Sequence, residues 1–105
     1  MKQLSPGEFK QWVESKKAFQ LLDVRERWEY DIVRFEQATL RPLGFLPINP
    51  PELDKEKPVV VYCHHGVRSI SGCLIMEQLG FKNVYNLSGG IDLYAQTADN
   101  SMPTY

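Results

Sequence analysis

Val59-Val60-Val61-Tyr62-Cys63-His64-His65-Gly66-Val67-Arg68 joins an apolar run to a polar loop, and a helix-like segment over residues 69–79 follows directly. Four consecutive apolar residues at 59–62 are typical of a strand inside a parallel sheet, with both of its faces covered. The order of buried strand, loop and helix is that of an α/β protein. We therefore predict that residues 59–62 form the central strand of such a sheet.

Cys63 stands at the junction between this strand and the loop. Main-chain amides of a tight loop that enters a helix lack acceptors within the helix and, together with the helix dipole, favour a bound anion. We expect this environment to lower the pKa of the Cys63 thiol from the usual value of about 8.5 to about 6.5, so that the thiolate predominates. Arg68 adds a permanently charged guanidinium at the end of the loop. The two residues predict a nucleophile beside an anion clamp.

Strand and helix patterns alternate along the rest of the chain. Ser5, Pro6 and Glu8 form a capping-box helix start, and that helix is expected to run to about Lys16. Further strands are expected at 19–22, weakly at 38–40 and at 81–87, with a helical turn at 27–30 and helices at 68–79 and 91–96. Residues 41–58 are expected to be mostly irregular, with a turn of helix around 43–46. The alternation predicts an α/β fold with a mostly parallel central sheet flanked by helices on both faces.

Composition and charge limit the function classes. The 105 residues suffice for a single domain, residues 1–105, of which about 97–105 is expected to be a loosely held polar tail. The net charge of -1 argues against binding to nucleic acid or to an anionic membrane. No apolar stretch approaches the roughly 20 residues of a membrane span, and no signal peptide is evident, so a cytoplasmic location is predicted. In that compartment Cys63 and Cys73 are not expected to form a disulfide, and Cys73 is predicted to be a buried apolar residue.

Two charged residues, Asp23 and Arg25, come directly after the first predicted strand of the sheet. Charged groups at a strand end can take part in catalysis, or they can form a buried pair that connects neighbouring loops. Their position favours the buried pair, and a catalytic role is the alternative.

Four segments, spread over nearly the whole chain, resemble the rhodanese-like sulfurtransferase domains. They are Asp23-Val24-Arg25-Glu26 with Trp28-Glu29-Tyr30, Val59 to Cys63 with Gly66-Val67-Arg68-Ser69, Leu79-Gly80-Phe81 with Val84, and Leu87-Ser88-Gly89-Gly90-Ile91. Each segment alone is a weak signal, but their order and spacing together are specific. The closing residues, Gly90-Ile91-Asp92 and Pro103-Thr104-Tyr105, are also similar to rhodanese domains fused to adenylating enzymes of sulfur-cofactor pathways.

The resemblance implies sulfur transfer through Cys63, which would accept a sulfane sulfur from a small donor such as thiosulfate and carry it as a persulfide. A thiol or a protein would then accept that sulfur. The residues implied to hold the terminal sulfur through their main-chain amides are His64, His65, Gly66, Val67 and Arg68. A persulfide anion needs several such donors and partial shielding from water. No metal or organic cofactor is implied.

One segment departs from the family's pattern. Many members have Gly-His-Ile-Pro-Gly-Ala before the strand that begins at Ala38 in this chain, where residues 33–37 are instead Val-Arg-Phe-Glu-Gln. Arg34 replaces the histidine, and bulky polar residues replace the proline and the second glycine. The difference bears on donor specificity more than on the chemistry of Cys63.

Three other interpretations use the same loop. A cysteine-dependent phosphatase has five residues between cysteine and arginine, whereas Cys63 and Arg68 have four between them, a spacing that fits one sulfur atom better than a phosphate. A non-catalytic binding or regulatory module is the second alternative. A metal site at Cys63-His64-His65 is the third and is disfavoured, because adjacent loop side chains usually diverge. His64 and His65 are expected to be partly exposed. Their imidazoles either raise the positive potential near an anionic donor, contact an acceptor protein, or have no catalytic role. Oligomeric state and the physiological sulfur donor and acceptor are not predicted.

Overall fold

The computed structural model describes residues 1–105 and shows a five-stranded sheet in which every strand pair is parallel. The strands lie in the order β1-β5-β4-β2-β3. They are β1 (Lys2–Leu4), β2 (Gln20–Asp23), β3 (Thr39–Leu40), β4 (Val59–Tyr62) and β5 (Val84–Leu87). The predicted central strand, β4, is the middle strand of the five, and each of its residues is buried. The α/β fold with a parallel sheet is therefore confirmed.

Four α-helices connect the strands, with a 3-10 turn at Leu43–Phe45 inside the long irregular connection. The helices are α1 (Pro6–Glu14), α2 (Arg27–Ile32), α3 (Arg68–Gln78) and α4 (Gly90–Thr97). The predicted capping box of α1 is present, since the Ser5 hydroxyl accepts from the Glu8 amide and the Glu8 carboxylate accepts from the Ser5 amide. No helix combines the length and the apolar character that crossing a membrane requires.

Alternation along β4 divides the core into two layers. Val59, Val61 and Cys63 face one side with Cys73 and Met76 of α3. The opposite side contains the alternate residues of the strand together with side chains of α1 and α4: Val60, Tyr62, Phe9, Ile91 and Tyr94. Because successive strand residues point to opposite faces, the thiol of Cys63 lies on the face that α3 covers. Helices thus flank both faces of the sheet, as predicted.

Several element bounds differ from the sequence-based expectation. β1 was not predicted, because three residues, two of them polar, are too few to show an alternating pattern; they pair with residues 85–87 of β5. α1 ends at Glu14 rather than near Lys16, whose φ of 56° is left-handed. The last strand begins at Val84 rather than at Phe81, after a left-handed Gly80 that closes α3.

Candidate functional site

Cys63 lies at the carboxyl end of β4, and only 1% of its surface is exposed. Its Sγ accepts hydrogen bonds from the main-chain amides of Gly66 at 3.1 Å and Ser69 at 3.3 Å. Gly66 has a φ of 86°, a left-handed conformation that favours glycine and lets the loop turn tightly. The amide of Ser69 lies in the first turn of α3, where helix amides have no intrahelical acceptor. Loop and helix together direct two donors at the sulfur.

The five loop amides were predicted to hold the terminal sulfur of a persulfide, whereas the hydrogen bonds in the structure are those to Sγ of Cys63 itself. Of the five residues, only Gly66 donates its amide to Sγ, and the second donor is Ser69, a residue of the family-like segment that was not predicted as a donor. His64, His65 and Val67 are loop residues whose amides make no hydrogen bond to Sγ. α3 begins at Arg68, so the amide of Ser69 lies in its first turn and has no acceptor within the helix. This free amide points at Sγ.

A polar chain behind the thiol connects α3 to β5. The Cys63 thiol donates to the Ser69 hydroxyl at 3.3 Å, and that hydroxyl donates to the Asn86 side-chain oxygen. Asn86 in turn donates to the Gly66 carbonyl at 3.2 Å and to the Gln3 side chain at 3.0 Å. Sequence reasoning gave no role to Ser69 or Asn86, although an asparagine within the otherwise apolar run of residues 84–87 was an available signal. These hydrogen bonds fix both the loop, through the Gly66 carbonyl, and the Ser69 hydroxyl that faces the sulfur.

Arg68 does not point freely into the site, because its guanidinium forms a two-pronged ion pair with Glu29 of α2 at 2.7 and 2.8 Å. Glu29 is almost fully buried, whereas 40% of the Arg68 side chain is exposed. Burial alone would raise the pKa of Glu29, but hydrogen bonds from Arg68 and Tyr105 outweigh it, and the pKa falls to about 2. The same pairing raises the pKa of Arg68. Arg68 was predicted as an anion clamp, and in the structure its guanidinium connects the start of α3 to α2 through Glu29.

Asp23 and Arg25 form the buried pair that their position at a strand end predicted. Both side chains are fully buried, with the closest contact 2.7 Å, and Arg25 also donates to the Val33 carbonyl at 2.6 Å. Burial by itself would lower the pKa of Arg25. The hydrogen bonds and the charge of the Asp23 carboxylate outweigh this effect, so the pKa of Arg25 is raised. The pair connects the ends of β2 and α2 and does not contact Cys63.

Tyr105 corrects the expectation of a loosely held tail. Its hydroxyl donates to Glu29 at 2.6 Å and accepts from Arg25 at 2.9 Å. Its ring stacks on the His64 imidazole with centroids 3.9 Å apart and packs edge-on against Trp28. These contacts were not predictable from local sequence, because they join residues far apart along the chain. They place Tyr105 beside the loop that follows Cys63.

The two loop histidines lie beside Asp92 of α4. His65 is mostly exposed, as predicted, whereas the side chain of His64 is only 17% exposed. Their rings are 3.9 Å apart and tilted by 33°, so they do not diverge as expected for adjacent loop residues. Burial lowers the pKa of His64, the neighbouring His65 lowers it further, and Asp92 opposes both effects. The site therefore holds two imidazoles and a carboxylate that could serve as metal ligands.

Comparison with known proteins agrees with this geometry. The chain matches the Rhodanese-like domain over residues 5–97. It is 33% identical over 106 residues to the probable adenylyltransferase/sulfurtransferase MoeZ of Mycobacterium tuberculosis, an alignment that includes 97% of this chain and 26% of MoeZ. The chain therefore spans about a quarter of that curated relative's length.

Solved structures share the fold over nearly the full length. A rhodanese-like domain protein from Staphylococcus aureus superimposes with a TM-score of 0.84 at 26% identity, covering 100% of this chain and 99% of that one. The human single-domain sulfurtransferase TSTD1 gives a TM-score of 0.81 at 21% identity, covering 92% and 97%, and at that identity it supports the fold alone. The chain thus belongs to the rhodanese-like domain family, which is related to sulfurtransferases.

Proposed function

We propose that this protein is a sulfurtransferase in which Cys63 carries a sulfane sulfur as a persulfide. The observation that carries the proposal is the pair of amide donors, from Gly66 and Ser69, directed at a cysteine sulfur at the end of the central strand. Amide donors of this kind stabilise negative charge on sulfur without themselves titrating. Membership of the rhodanese-like family and the sulfurtransferase named in MoeZ support the same chemistry.

In the first half-reaction, the Cys63 thiolate attacks the outer sulfur of a donor such as thiosulfate. A new sulfur–sulfur bond forms at Cys63, the donor's sulfur–sulfur bond breaks, and sulfite leaves with the bonding electron pair. The Ser69 hydroxyl, now donating to Asn86, can rotate to donate to the thiolate once the thiol proton has gone. The remaining loop amides, those of His64, His65, Val67 and Arg68, would serve the terminal persulfide sulfur, which extends beyond Sγ.

In the second half-reaction, a nucleophilic acceptor attacks the outer persulfide sulfur. The bond to Cys63 breaks, its electron pair returns to the cysteine sulfur, and the thiolate is regenerated. A cellular thiol or a protein is the proposed acceptor, and cyanide can replace it in the test tube. No metal or organic cofactor is needed to balance either step.

Arg68 is proposed as a positioning residue for this reaction. Its ion pair with Glu29 connects the first turn of α3 to α2, so it limits the freedom of the loop that precedes it. Its exposed fraction of 40% leaves the guanidinium within reach of an anionic donor at the mouth of the site. Residues 1–105 are proposed to act as one domain, and the two free thiols, Cys63 and Cys73, fit a cytoplasmic location.

The test of the proposal is steady-state thiocyanate production from thiosulfate and cyanide. The Cys63→Ser variant should lose this activity while keeping the circular dichroism spectrum and thermal unfolding of the wild type. Cys73→Ser is the matched control and should remain active, because Cys73 is not within the loop. Activity retained by Cys63→Ser would overturn the mechanism.

A non-catalytic module on the same fold is the second candidate, and the near-complete burial of Cys63 favours it. Such a module would accept no sulfur on Cys63 from thiosulfate, mercaptopyruvate or a cysteine desulfurase supplied with cysteine. The phosphatase alternative makes a separate prediction, which is the steady release of phosphate from an aryl phosphate, lost on Cys63→Ser. Either result would replace the sulfurtransferase proposal.

A further inference from the structure

Three potential metal ligands converge on one side of the Cys63 loop. The Nε2 atom of His64 lies 3.8 Å from one carboxylate oxygen of Asp92, and Nε2 of His65 lies 3.6 Å from the other. One ligand atom from each of the three residues can be chosen so that all lie within 4.8 Å of one another. Two imidazoles and one carboxylate are a donor set that proteins use for zinc and related divalent ions.

Main-chain contacts hold these residues together independently of any ion. The amide of Asp92 donates to the His64 carbonyl at 3.1 Å, and the amide of Ile91 donates to the Cys63 carbonyl at 3.0 Å. The approach is so close that a Cβ on Gly90, whose φ is 66°, would lie 2.3 Å from the His64 carbonyl oxygen. Only glycine permits this contact, so the start of α4 is fixed against the loop. A site built on such contacts is formed before a ligand arrives.

The contacts among the three side chains leave hydrogen-bonding capacity unused. Distances of 3.6 and 3.8 Å are too long for hydrogen bonds. Nε2 of His64 is shielded from solvent and has no hydrogen-bond partner, a state that is costly for a buried polar atom. The one side-chain hydrogen bond to Asp92 comes from Gln96 at 2.9 Å, one turn further along α4. A bound cation would coordinate the unpartnered Nε2 of His64 and, at the same time, the side chains of His65 and Asp92.

We propose that His64, His65 and Asp92 bind one divalent transition-metal ion of the zinc class. Ligands about 2.0 to 2.2 Å from a tetrahedral ion are separated by about 3.4 Å. The two distances to Asp92, 3.8 and 3.6 Å, need to contract by only a few tenths of an ångström. The largest separation in the set, within 4.8 Å, needs a larger movement, which the 64% exposed side chain of His65 can make. Three protein ligands leave a fourth position open for water or a small anion. The stacked ring of Tyr105 fixes the His64 imidazole in the orientation that the site requires.

The proposed metal ligands are side-chain atoms, whereas the hydrogen-bond donors from the loop and helix at Cys63 Sγ are main-chain amides. None of the three side chains hydrogen-bonds to Cys63 Sγ, so the ion would bind to side chains of a loop whose main-chain amides serve the sulfur, and this binding goes beyond the proposed function. The disfavoured interpretation of Cys63-His64-His65 as a metal site is thereby replaced by one in which Asp92, not Cys63, is the third ligand.

The test is titration of the apoprotein with Co²⁺, followed by visible absorption, and with Zn²⁺ in competition with a chromophoric chelator. One equivalent should bind. His65→Ala and Asp92→Asn should each weaken binding by at least about tenfold, since loss of even an outer-shell partner typically has that effect. Neither residue belongs to the buried core, and thermal unfolding verifies that the variants are folded.

Two controls distinguish this site from its neighbours. Cys63→Ser should bind with wild-type affinity, and the Co²⁺ complex should show no thiolate charge-transfer band. Asp31→Asn, which neutralises an exposed aspartate in α2, should also leave binding unchanged. Absence of stoichiometric binding, loss of binding in Cys63→Ser, or wild-type binding by Asp92→Asn would each overturn the proposal.

Discussion

Replacing Glu29 with glutamine should destabilise the fold through the ion pair that ties α2 to the start of α3. Glu29 accepts two hydrogen bonds from Arg68, at 2.7 and 2.8 Å, and one from Tyr105 at 2.6 Å. Glutamine has nearly the same size but no charge, and its amide group would face donors rather than acceptors. The variant therefore removes the electrostatic contribution while preserving the packing.

The magnitude follows from the pKa of Glu29, which is lowered from 4.5 to about 2. A decrease of that size corresponds to about 3 kcal/mol of folding free energy near neutral pH. Solvent screens the exposed part of Arg68, so we expect a loss of about 2 kcal/mol in Glu29→Gln. Because the folded-state pKa is depressed, the stabilisation is complete above pH 4.5 and is lost as the pH falls towards 2.

Urea unfolding of the wild type and of Glu29→Gln, measured near neutral pH and at about pH 3, tests this prediction. The difference in unfolding free energy should be about 2 kcal/mol near neutral pH and clearly smaller at about pH 3. Glu52→Gln is the matched control, because Glu52 is exposed and has no ion-pair partner, and it should stay within about 0.5 kcal/mol of the wild type. A Glu29→Gln variant as stable as this control would refute the role given to the ion pair.

Three further predictions concern the loop and the core. Ser69→Ala should slow sulfur transfer, which the rate of thiocyanate production measures. It should also lower the free energy of unfolding in urea by about 1 to 2 kcal/mol, because the side-chain oxygen of Asn86 loses its buried donor. Gly90→Ala should lower thermal stability severely, since a Cβ there would collide with the loop carbonyls at 2.3 and 2.5 Å. In the native protein an alkylating reagent at about pH 8 should modify Cys63 and spare Cys73, whose pKa burial raises to about 12; peptide mass mapping identifies the labelled thiol.

The two substitutions have matched controls in the same chain. Ser71→Ala changes an exposed serine of α3 and should leave both activity and stability unchanged. Gly7→Ala adds a methyl group where nothing lies within 4 Å, and it should be tolerated or slightly stabilising. The account of Ser69 would be contradicted if Ser69→Ala and Ser71→Ala had equal effects. A Gly90→Ala protein as stable as the wild type would contradict the close contact at Gly90. Labelling of Cys73 before unfolding would contradict its burial.

Local patterns in the sequence predicted the centre of the fold. An uninterrupted apolar run is a strong signal for a buried parallel strand, and residues 59–62 form it. The capping box at Ser5 and the end of α3 at Gly80 were equally readable, because both depend on residues a few positions apart. The buried pair of Asp23 and Arg25 followed from their place at a strand end.

Contacts between distant parts of the chain could not be predicted in the same way. Ser69 meets Asn86 only because β5 lies beside β4, a pairing that the sequence does not specify locally. Tyr105 reaches Glu29 across most of the chain, which no periodicity signals. Asp92 approaches His64 because Gly90 permits a main-chain contact, so the metal-ligand set appears only in three dimensions.

Persulfide formation on Cys63 is the most direct test of the proposed function. The protein is incubated with thiosulfate, with mercaptopyruvate, or with a cysteine desulfurase supplied with cysteine. It is then freed of small molecules and examined by intact mass and by mass mapping of the peptide that contains Cys63. We predict a gain of one sulfur atom, located on Cys63 in both the wild type and Cys73→Ser, and no gain in Cys63→Ser. Absence of added sulfur on Cys63 with every donor tried, or sulfur carried by Cys73 instead, would contradict the account.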